Sequence, residues 1–230
     1  MAVRAPIAVA LDAPNLATLR AWAAATAPSV STLKVGLETF LRDGRAAVAT
    51  ARDAAPEAAI FLDLKLHDIP ATVGRAARAL TDIEPDFLTV HAAGGAAMIE
   101  AAVAALPGTR ITAVTILTSL SETELVRLGW GEPAIDLVQR LAVVAVEAGA
   151  RAIVCSPLEV SVVRAAVGAD VVLITPGVRP TEASAGDQAR VATPAAAIAA
   201  GADLLVIGRP ITAAPDPGAA AAAIAAELNR

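Results

Sequence analysis

Eight short apolar runs, separated by longer alanine-rich stretches, constrain the fold of this chain more than any other feature. The runs lie at residues 6–12, 32–36, 59–65, 87–93, 111–117, 152–156, 171–177 and 204–209. They are rich in Val, Ile and Leu, and continuous apolar runs of this length are typical of parallel strands that are covered on both faces. The stretches between them suit helices, for example at 15–27, 94–106, 134–149 and 193–201. The chain therefore predicts repeated strand–helix units.

Eight strand–helix units in 230 residues favour an α/β fold of the (β/α)8 barrel type. The alternative is an open doubly wound sheet, which often carries a glycine-rich dinucleotide loop after its first strand. Here the first run ends in the letters ALDAPN, without a G-x-G-x-x-G motif. No linker or low-complexity stretch divides the chain. We therefore predict one barrel domain over residues 1–230.

Composition excludes several classes of function. The net charge of −5 and the pI near 5.1 argue against a general nucleic-acid-binding surface. No stretch approaches the roughly 18–20 uninterrupted apolar residues of a membrane span, and the N-terminal residues do not resemble a signal peptide. The single cysteine, Cys155, lies in an apolar run and is expected to be a buried structural thiol. A reducing compartment, the cytoplasm, is the expected location.

The stretch FLDLKLHDIPATVG, at 61–74, places charged side chains at the end of the third apolar run. Alternation along a strand puts Asp63 and Lys65 on the same face, at the barrel rim where active sites form. Asp68 follows beyond the strand, because Pro70 cannot continue the ladder. A lysine between carboxylates stays a charged ammonium, which suits a proton donor or an electrostatic anchor and disfavours a Schiff-base aldolase.

Two less specific interpretations of this stretch stay open. The charged residues could form an ordinary surface ladder of ion pairs, which contributes about 0–1 kcal/mol. His67 lies on the opposite face by alternation, and we interpret it as structural.

The last two apolar runs end in a pattern that predicts an anion site. The segments ITPGVRP (174–180) and VIGRPIT (206–212) each pair glycine with arginine. Glycine allows backbone N–H groups to approach a phosphate, and Arg209 offers two parallel donors. Phosphate sites in barrels often use the loops after strands seven and eight. The polar segment 176–194 has the length of a lid, in which Gln188 could bind a ligand.

Seven blocks of the sequence together resemble the orotidine 5'-phosphate decarboxylase family. In chain order they read ALD, LKVG, DLKLHDIPATV, TVHAAGG, TILTS, TPGVRP with GDQ-x-R, and VIGRPI. They extend from about residue 7 to residue 212, nearly the whole chain. The resemblance implies a barrel that forms a homodimer with shared active sites. It also implies decarboxylation of orotidine 5'-monophosphate to UMP, the last step of de novo pyrimidine synthesis, without cofactor or metal.

The resemblance also implies residue roles. Lys65 would protonate C6 of the pyrimidine, and Asp63 would sit beside the substrate carboxylate. Asp68, Ile69 and Thr72 would be donated to the partner's site. The remaining predicted substrate-binding residues are Asp12 and Lys34 for the ribose, Thr118 for the pyrimidine, and Gln188, Gly208 and Arg209 for the phosphate, with Arg179 supporting that end. One departure is Ala71, where the family commonly has Asn.

Two rival functions stay open at this point. Sister barrels that decarboxylate or synthesise sugar phosphates share the D-x-K-x-x-D element but use Mg²⁺, held partly by a glutamate at the end of the second strand. This chain has Lys34 there, which would repel the metal, and Glu38 lies four residues later. The other rival is a non-catalytic barrel that binds a nucleotide or phosphate. Intact Asp63, Lys65 and Asp68 argue against it.

Overall fold

Each of the eight apolar runs overlaps a β-strand, and the strands pair in chain order into a closed parallel barrel. The computed structural model describes residues 4–179 and 192–228. The strands are β1 (Ala5–Ala10), β2 (Val30–Gly36), β3 (Ala59–Leu66), β4 (Phe87–His91), β5 (Arg110–Val114), β6 (Ala152–Val154), β7 (Val172–Thr175) and β8 (Leu204–Ile207). Pairing of β1 with β8 closes the barrel, so the predicted (β/α)8 fold is confirmed and the open sheet is wrong.

Helices occupy the outside of the barrel. In the described residues they are α1 (Leu16–Thr26), α2 (Leu37–Asp43), α3 (Arg45–Ala54), α4 (Pro70–Arg78), α5 (Ala96–Ala105), α6 (Glu122–Arg127), α7 (Ala134–Glu147), α8 (Val160–Val167), α9 (Pro194–Ala199), α10 (Arg209–Thr212) and α11 (Pro217–Leu228). The four alanine-rich stretches predicted as helices contain α1, α5, α7 and α9. Within the described part of the chain, none of these helices is long and apolar enough to cross a membrane.

Local chemistry explains where several helices begin. Asn15 accepts a hydrogen bond from the Thr18 N–H at the start of α1, and Ser121 forms a capping box with Glu124 at the start of α6. These side chains satisfy backbone donors that have no partner inside the helix. Pro70 is the first residue of α4, a position where its missing N–H costs nothing. As predicted, the β3 ladder ends before this proline.

Two apolar layers hold the barrel together. The larger layer lies between the sheet and the helices. The smaller one fills the barrel interior and contains Ala8, Phe61, Phe87, Ala152, Ile174 and Leu204. The rings of Phe61 and Phe87 lie 5.7 Å apart, and the Arg110 guanidinium stacks 5.2 Å from the Phe87 ring centre. The interior is therefore packed at the end where the strands begin, which leaves the other end for a site.

An irregularity interrupts the pairing of β3 with β4. The register runs from Leu62 opposite Leu88 directly to Leu66 opposite Val90. Three residues of β3, numbers 63–65, therefore face one residue of β4, number 89. Such bulges bend a strand and redirect its side chains. Lys65 adopts the left-handed conformation there, with φ of 49°, which is uncommon for a residue other than glycine.

We expect Phe87→Ala to lower the free energy of unfolding by about 3–5 kcal/mol, because it leaves a cavity between Phe61 and Arg110 inside the barrel. Urea-induced unfolding would measure the loss. The control is Val126→Ala, which shortens a side chain that is 63% exposed and should change stability little. Equal stability of the two variants would contradict the described packing.

Candidate active site

Two lysines share one buried carboxylate at the open end of the barrel. The Nζ atom of Lys65 lies 2.8 Å from Oδ1 of Asp63, and the Nζ atom of Lys34 lies 3.2 Å from Oδ2. Asp63 and Lys65 come from β3, and Lys34 comes from the neighbouring strand β2. Asp63 and Lys65 are therefore in direct contact, although residues 63–65 form the bulge of β3 and not a regularly alternating strand. Lys34 and Lys65 are the only lysines in the sequence, so every other fixed side-chain cation is an arginine.

Asp63 is ionised in this setting. Its side chain is almost completely buried, and burial alone opposes ionisation. The charges of Lys34 and Lys65, with hydrogen bonds from Lys65 and Thr89, outweigh burial and hold the pKa of Asp63 below its usual value. The cluster therefore has two ammonium groups on one carboxylate and a net positive charge.

Asp12 extends this cluster from the end of β1. Its Oδ1 atom lies 3.9 Å from the Lys34 Nζ, and its side chain is half exposed. Gly36 leaves the space that this pair occupies: a Cβ atom on Gly36 would lie 2.8 Å from the Asp12 Oδ1 and 2.9 Å from the Lys34 Nζ. Both distances are shorter than real Cβ contacts. The predicted pair of Asp12 and Lys34 is therefore brought together, and a larger residue at position 36 would require these two side chains to shift.

Thr89 on β4 belongs to the cluster, although sequence reasoning missed it. Its Oγ1 donates a hydrogen bond to Oδ1 of Asp63 at 3.0 Å and accepts one from the backbone N–H of Lys65 at 2.8 Å. The side chain is fully buried. In sequence, a threonine within an apolar strand indicates only strand propensity. The one sequence feature that could have indicated a role for Thr89 is its position two residues before the end of a barrel strand.

Two histidines flank the lysine. The rings of His67 and His91 lie 5.3 Å apart. Burial lowers the pKa of His91, the electrostatic influence of His67 and Lys65 lowers it further, and Asp63 opposes this effect only in part. His91 is therefore neutral at neutral pH and adds no third cation. We had assigned His67 to the opposite face from the alternation of strand side chains. The bulge interrupts this alternation before residue 67, so alternation does not determine the face of His67, which is exposed.

An apolar cavity of about 180 Å³ opens beside Lys65. Its lining includes Phe61, Val154 and Thr118, and Asp63 and Lys65 form its polar edge. The predicted site residue Thr118 therefore lies close to the lysine.

Cys155 also lines the apolar cavity. Burial, with the charge of Glu159, raises the pKa of the Cys155 thiol to about 12. This confirms the interpretation of Cys155 as a buried thiol, which at neutral pH is protonated and unreactive.

A second, cationic cavity of about 500 Å³ lies on the other side of Asp63. It is lined by Asp12 and Lys34 and by the residues that follow β7 and β8, among them Gly177, Arg179, Gly208 and Arg209. Gly177 has φ of 75°, a conformation that glycine adopts without strain. The predicted anion site is thus assembled from Arg179, Gly208 and Arg209. Gln188 lies outside the described residues, as does most of the predicted lid segment.

Three predicted residues lie away from the cluster. Asp68 and Ile69 are exposed, and Thr72 is half-buried on the first turn of α4. The Oδ1 atom of Asp68 accepts a hydrogen bond from the Ile69 N–H at 2.6 Å. Within one chain, Lys65 is therefore held by Asp63 rather than placed between two carboxylates.

The arrangement suits proton transfer to an anionic ligand. The described residues contain no group of three or more His, Cys, Asp or Glu side chains placed to hold a metal ion. The apolar cavity can take a flat ring, and the cationic cavity can take a charged group at its far end. Asp63 lines both cavities, and Lys65 lies beside it in the apolar one.

Comparisons with known proteins agree on one family. A model described as Orotidine 5'-phosphate decarboxylase / HUMPS family matches residues 5–224. The chain is 70% identical over 226 residues to the orotidine 5'-phosphate decarboxylase of Thermobifida fusca (strain YX), covering 98% of this chain and 97% of that protein. It is 57% identical over 224 residues to that of Anaeromyxobacter sp. (strain K), covering 96% and 97%. The crystal structure of orotidine 5'-phosphate decarboxylase from Lactobacillus acidophilus matches with a TM-score of 0.83 at 36% identity, covering 98% and 100%.

We expect Asp63→Asn to lower the free energy of unfolding at pH 7 by about 3–5 kcal/mol, because two ammonium groups would remain beside an uncharged amide. The pKa of Asp63 is lowered in the folded state, so its contribution is fully present above the unfolded value of about 3.9 and is lost as the pH falls through the folded value. The difference between wild type and variant should therefore shrink in acid.

Urea-induced unfolding at pH 7, 5 and 3 would measure this difference. The matched control is Asp53→Asn, which breaks the exposed pair of Arg20 and Asp53 and should cost less than about 1 kcal/mol. An Asp63→Asn variant as stable as the Asp53→Asn control at pH 7 would show that the buried cluster does not need its carboxylate.

Proposed function

The chain belongs to the Orotidine 5'-phosphate decarboxylase / HUMPS family and is a carboxy-lyase, and we propose that it converts orotidine 5'-monophosphate to UMP and CO2, the last step of de novo pyrimidine synthesis. One observation carries the proposal: an apolar cavity and a cationic cavity share Asp63 in their lining, and Lys65, which is bound to Asp63, lines the apolar one. A pyrimidine nucleotide has the same division, with a flat ring at one end and a phosphate at the other.

Lys65 is the proton donor in this proposal. When CO2 leaves, the electron pair of the broken carbon–carbon bond stays on C6 of the ring, and no cofactor is needed to accept it if an ammonium lies close by. Lys65 transfers a proton from Nζ to C6, and water then restores the ammonium. A preorganised cation at the place where negative charge develops stabilises the transition state more than the ground state.

Asp63 holds the donor in place and stays ionised. Its Oδ1 accepts the Lys65 ammonium at 2.8 Å and its Oδ2 faces Lys34 at 3.2 Å. In the proposed complex the substrate carboxylate lies beside this carboxylate. Repulsion between the two favours departure of CO2, because the negative charge next to Asp63 disappears as the bond breaks.

The remaining residues bind the parts of the substrate that do not react. Asp12 and Lys34 face the ribose hydroxyls from the ends of β1 and β2. The phosphate lies between Arg179 and Arg209, near Gly208, and Gln188 completes this end. Thr118 contacts the pyrimidine from the apolar cavity. Binding energy from the phosphate then supports the chemistry at the distant ring.

The charge at the end of β2 favours this reaction over a magnesium-dependent one on sugar phosphates. Lys34 occupies this position, and its ammonium lies 3.2 Å from Asp63. A divalent cation beside it would be repelled and would compete for the same carboxylate. We therefore propose that the reaction needs neither metal nor cofactor.

We also propose a homodimer with shared sites, working in the cytoplasm. Asp68 and Ile69 are exposed in the single chain, and Ile69 is one of three large exposed apolar side chains on neighbouring segments, with Leu37 and Leu41. A second copy that covers them would bring Asp68, Ile69 and Thr72 to the partner's site. There Asp68 would supply the second carboxylate for the partner's lysine.

Turnover of orotidine 5'-monophosphate by the purified protein tests the reaction. We expect loss of the orotate absorbance at the same rate with and without EDTA. Lys65→Ala should lower kcat by about 10³-fold or more, because it removes both the proton and the charge.

Lys65→Arg is the matched variant, since it keeps the cation but does not release a proton at neutral pH. We expect it to be nearly as inactive as Lys65→Ala. Near-normal turnover by Lys65→Arg would overturn the role of proton donor. Sensitivity of the wild type to EDTA would instead favour the magnesium-dependent reaction.

Mixing two inactive variants tests the shared sites. Lys65→Ala and Asp68→Ala dimers should each be nearly inactive, and exchange of their subunits should restore about a quarter of the wild-type activity, because half of the dimers are then mixed and each mixed dimer has one intact site. Activity would be measured after subunit exchange, with unmixed samples as controls. Absence of recovery, with mixed dimers detected by mass spectrometry, would place both residues in the same subunit's site.

A further inference from the structure

A closed ring of hydrogen bonds ties the backbone of Lys65 to its own side chain. The backbone N–H of Lys65 donates to Oγ1 of Thr89 at 2.8 Å, and this hydroxyl donates to Oδ1 of Asp63 at 3.0 Å. The same Oδ1 accepts the Nζ of Lys65 at 2.8 Å. The Thr89 hydroxyl has one proton, and an ionised carboxylate can only accept, so the direction of each bond in the ring is determined.

The ring stands at the bulge of β3. Thr89 is the one residue of β4 that faces Asp63, Leu64 and Lys65. In a regular ladder, a backbone carbonyl of the neighbouring strand would accept the hydrogen bond from the Lys65 N–H. The ladder is interrupted at the bulge, and the Thr89 hydroxyl accepts this hydrogen bond instead. The hydrogen bond from the Lys65 N–H to Thr89 therefore stabilises the unusual backbone conformation of Lys65, which has φ of 49°.

We propose that Thr89 is a positioning residue for catalysis: its hydroxyl holds the Lys65 backbone in the left-handed conformation and orients the Asp63 carboxylate, so that the ammonium points to the reacting carbon. This inference rests on the proposed function, in which Lys65 is the proton donor. Without these hydrogen bonds, Thr89 would be interpreted as an ordinary buried residue of the strand.

The ring predicts an effect on kcat rather than on substrate binding. Thr89 itself is fully buried and lies beneath Asp63, so it does not line either cavity. Thr89→Val keeps the size of the side chain but removes both hydrogen bonds. Misplacement of a reacting group by an ångström can lower a rate by about 100-fold, and we expect a loss of that order in kcat with little change in KM.

Two variants make the comparison specific. Thr89→Ser keeps the hydroxyl and should retain most of the activity. Thr112→Val is the matched control: Thr112 lies opposite Thr89 on β5, is equally buried, and donates its hydroxyl proton only to the Arg110 carbonyl oxygen of its own strand, at 3.0 Å. We expect this variant to keep the wild-type kcat. If Thr89→Val does not fold, Thr89→Cys replaces it, because a thiol of similar size is a weak donor and acceptor.

The pH profile separates positioning from simple loss of stability. The hydrogen bond from Thr89 helps to keep the pKa of Asp63 low. Without it, Asp63 takes up a proton at higher pH, so the acid limb of kcat/KM should move to higher pH in Thr89→Val and stay in place in Thr112→Val. A destabilised enzyme without a positioning defect would lose activity without moving this limb.

A crystal structure of Thr89→Val completes the test and does not depend on turnover. Movement of the Lys65 Nζ away from Asp63, or relaxation of the Lys65 backbone, supports the proposal. An unchanged Lys65 conformation together with wild-type kcat overturns it. If the wild-type enzyme itself does not turn over orotidine 5'-monophosphate, the proposed function fails, and the crystallographic comparison still decides whether Thr89 positions the lysine.

Discussion

Burial of one carboxylate at the mouth of the barrel governs the arrangement around it. An ionised Asp63 in an apolar interior would be unstable alone, because its lost hydration must be replaced. Lys34, Lys65 and Thr89 replace it with three polar contacts from three adjacent strands. The cluster is therefore also a structural connection across β2, β3 and β4. If any one of these side chains is removed, at least one of the remaining charged or hydroxyl groups loses its polar partner.

The division of the mouth into two cavities follows from this cluster. Asp63 lines both, with apolar side chains on one side and arginines on the other. A ligand that spans both cavities would lie against Asp63, with its apolar part beside Lys65 and its charged part beside the arginines. The arrangement allows binding energy at the cationic end to position a ring at the apolar end, without any contact between the arginines and the reacting atoms.

Much of this organisation could be predicted from the sequence, and the exceptions have physical reasons. Apolar runs identified all eight strands because a parallel barrel buries both faces of each strand. Alternation predicted that Asp63 and Lys65 lie together, and they are in contact, but across a bulge and not along a regular strand. The bulge could not be predicted, because a left-handed lysine depends on tertiary contacts and not on residue type. Thr89 was missed because its role also depends on tertiary contacts, namely its hydrogen bonds to Asp63 and Lys65 across the bulge. The role proposed for Asp68 depends on a second copy of the chain, and the periodicity of a single sequence does not predict such contacts.

Both lysines of the sequence lie in the candidate active site, which has a consequence for the chemistry of the whole molecule. With arginine at all other cationic side chains, no lysine amine lies outside the Asp63 cluster. The two amines that exist are held as ammonium groups against Asp63, and a protonated amine does not attack an electrophile. Acylating and carbonyl compounds that modify lysine in other proteins therefore find almost no target on this chain, whereas any such adduct that does form on a side-chain amine lies within the Asp63 cluster.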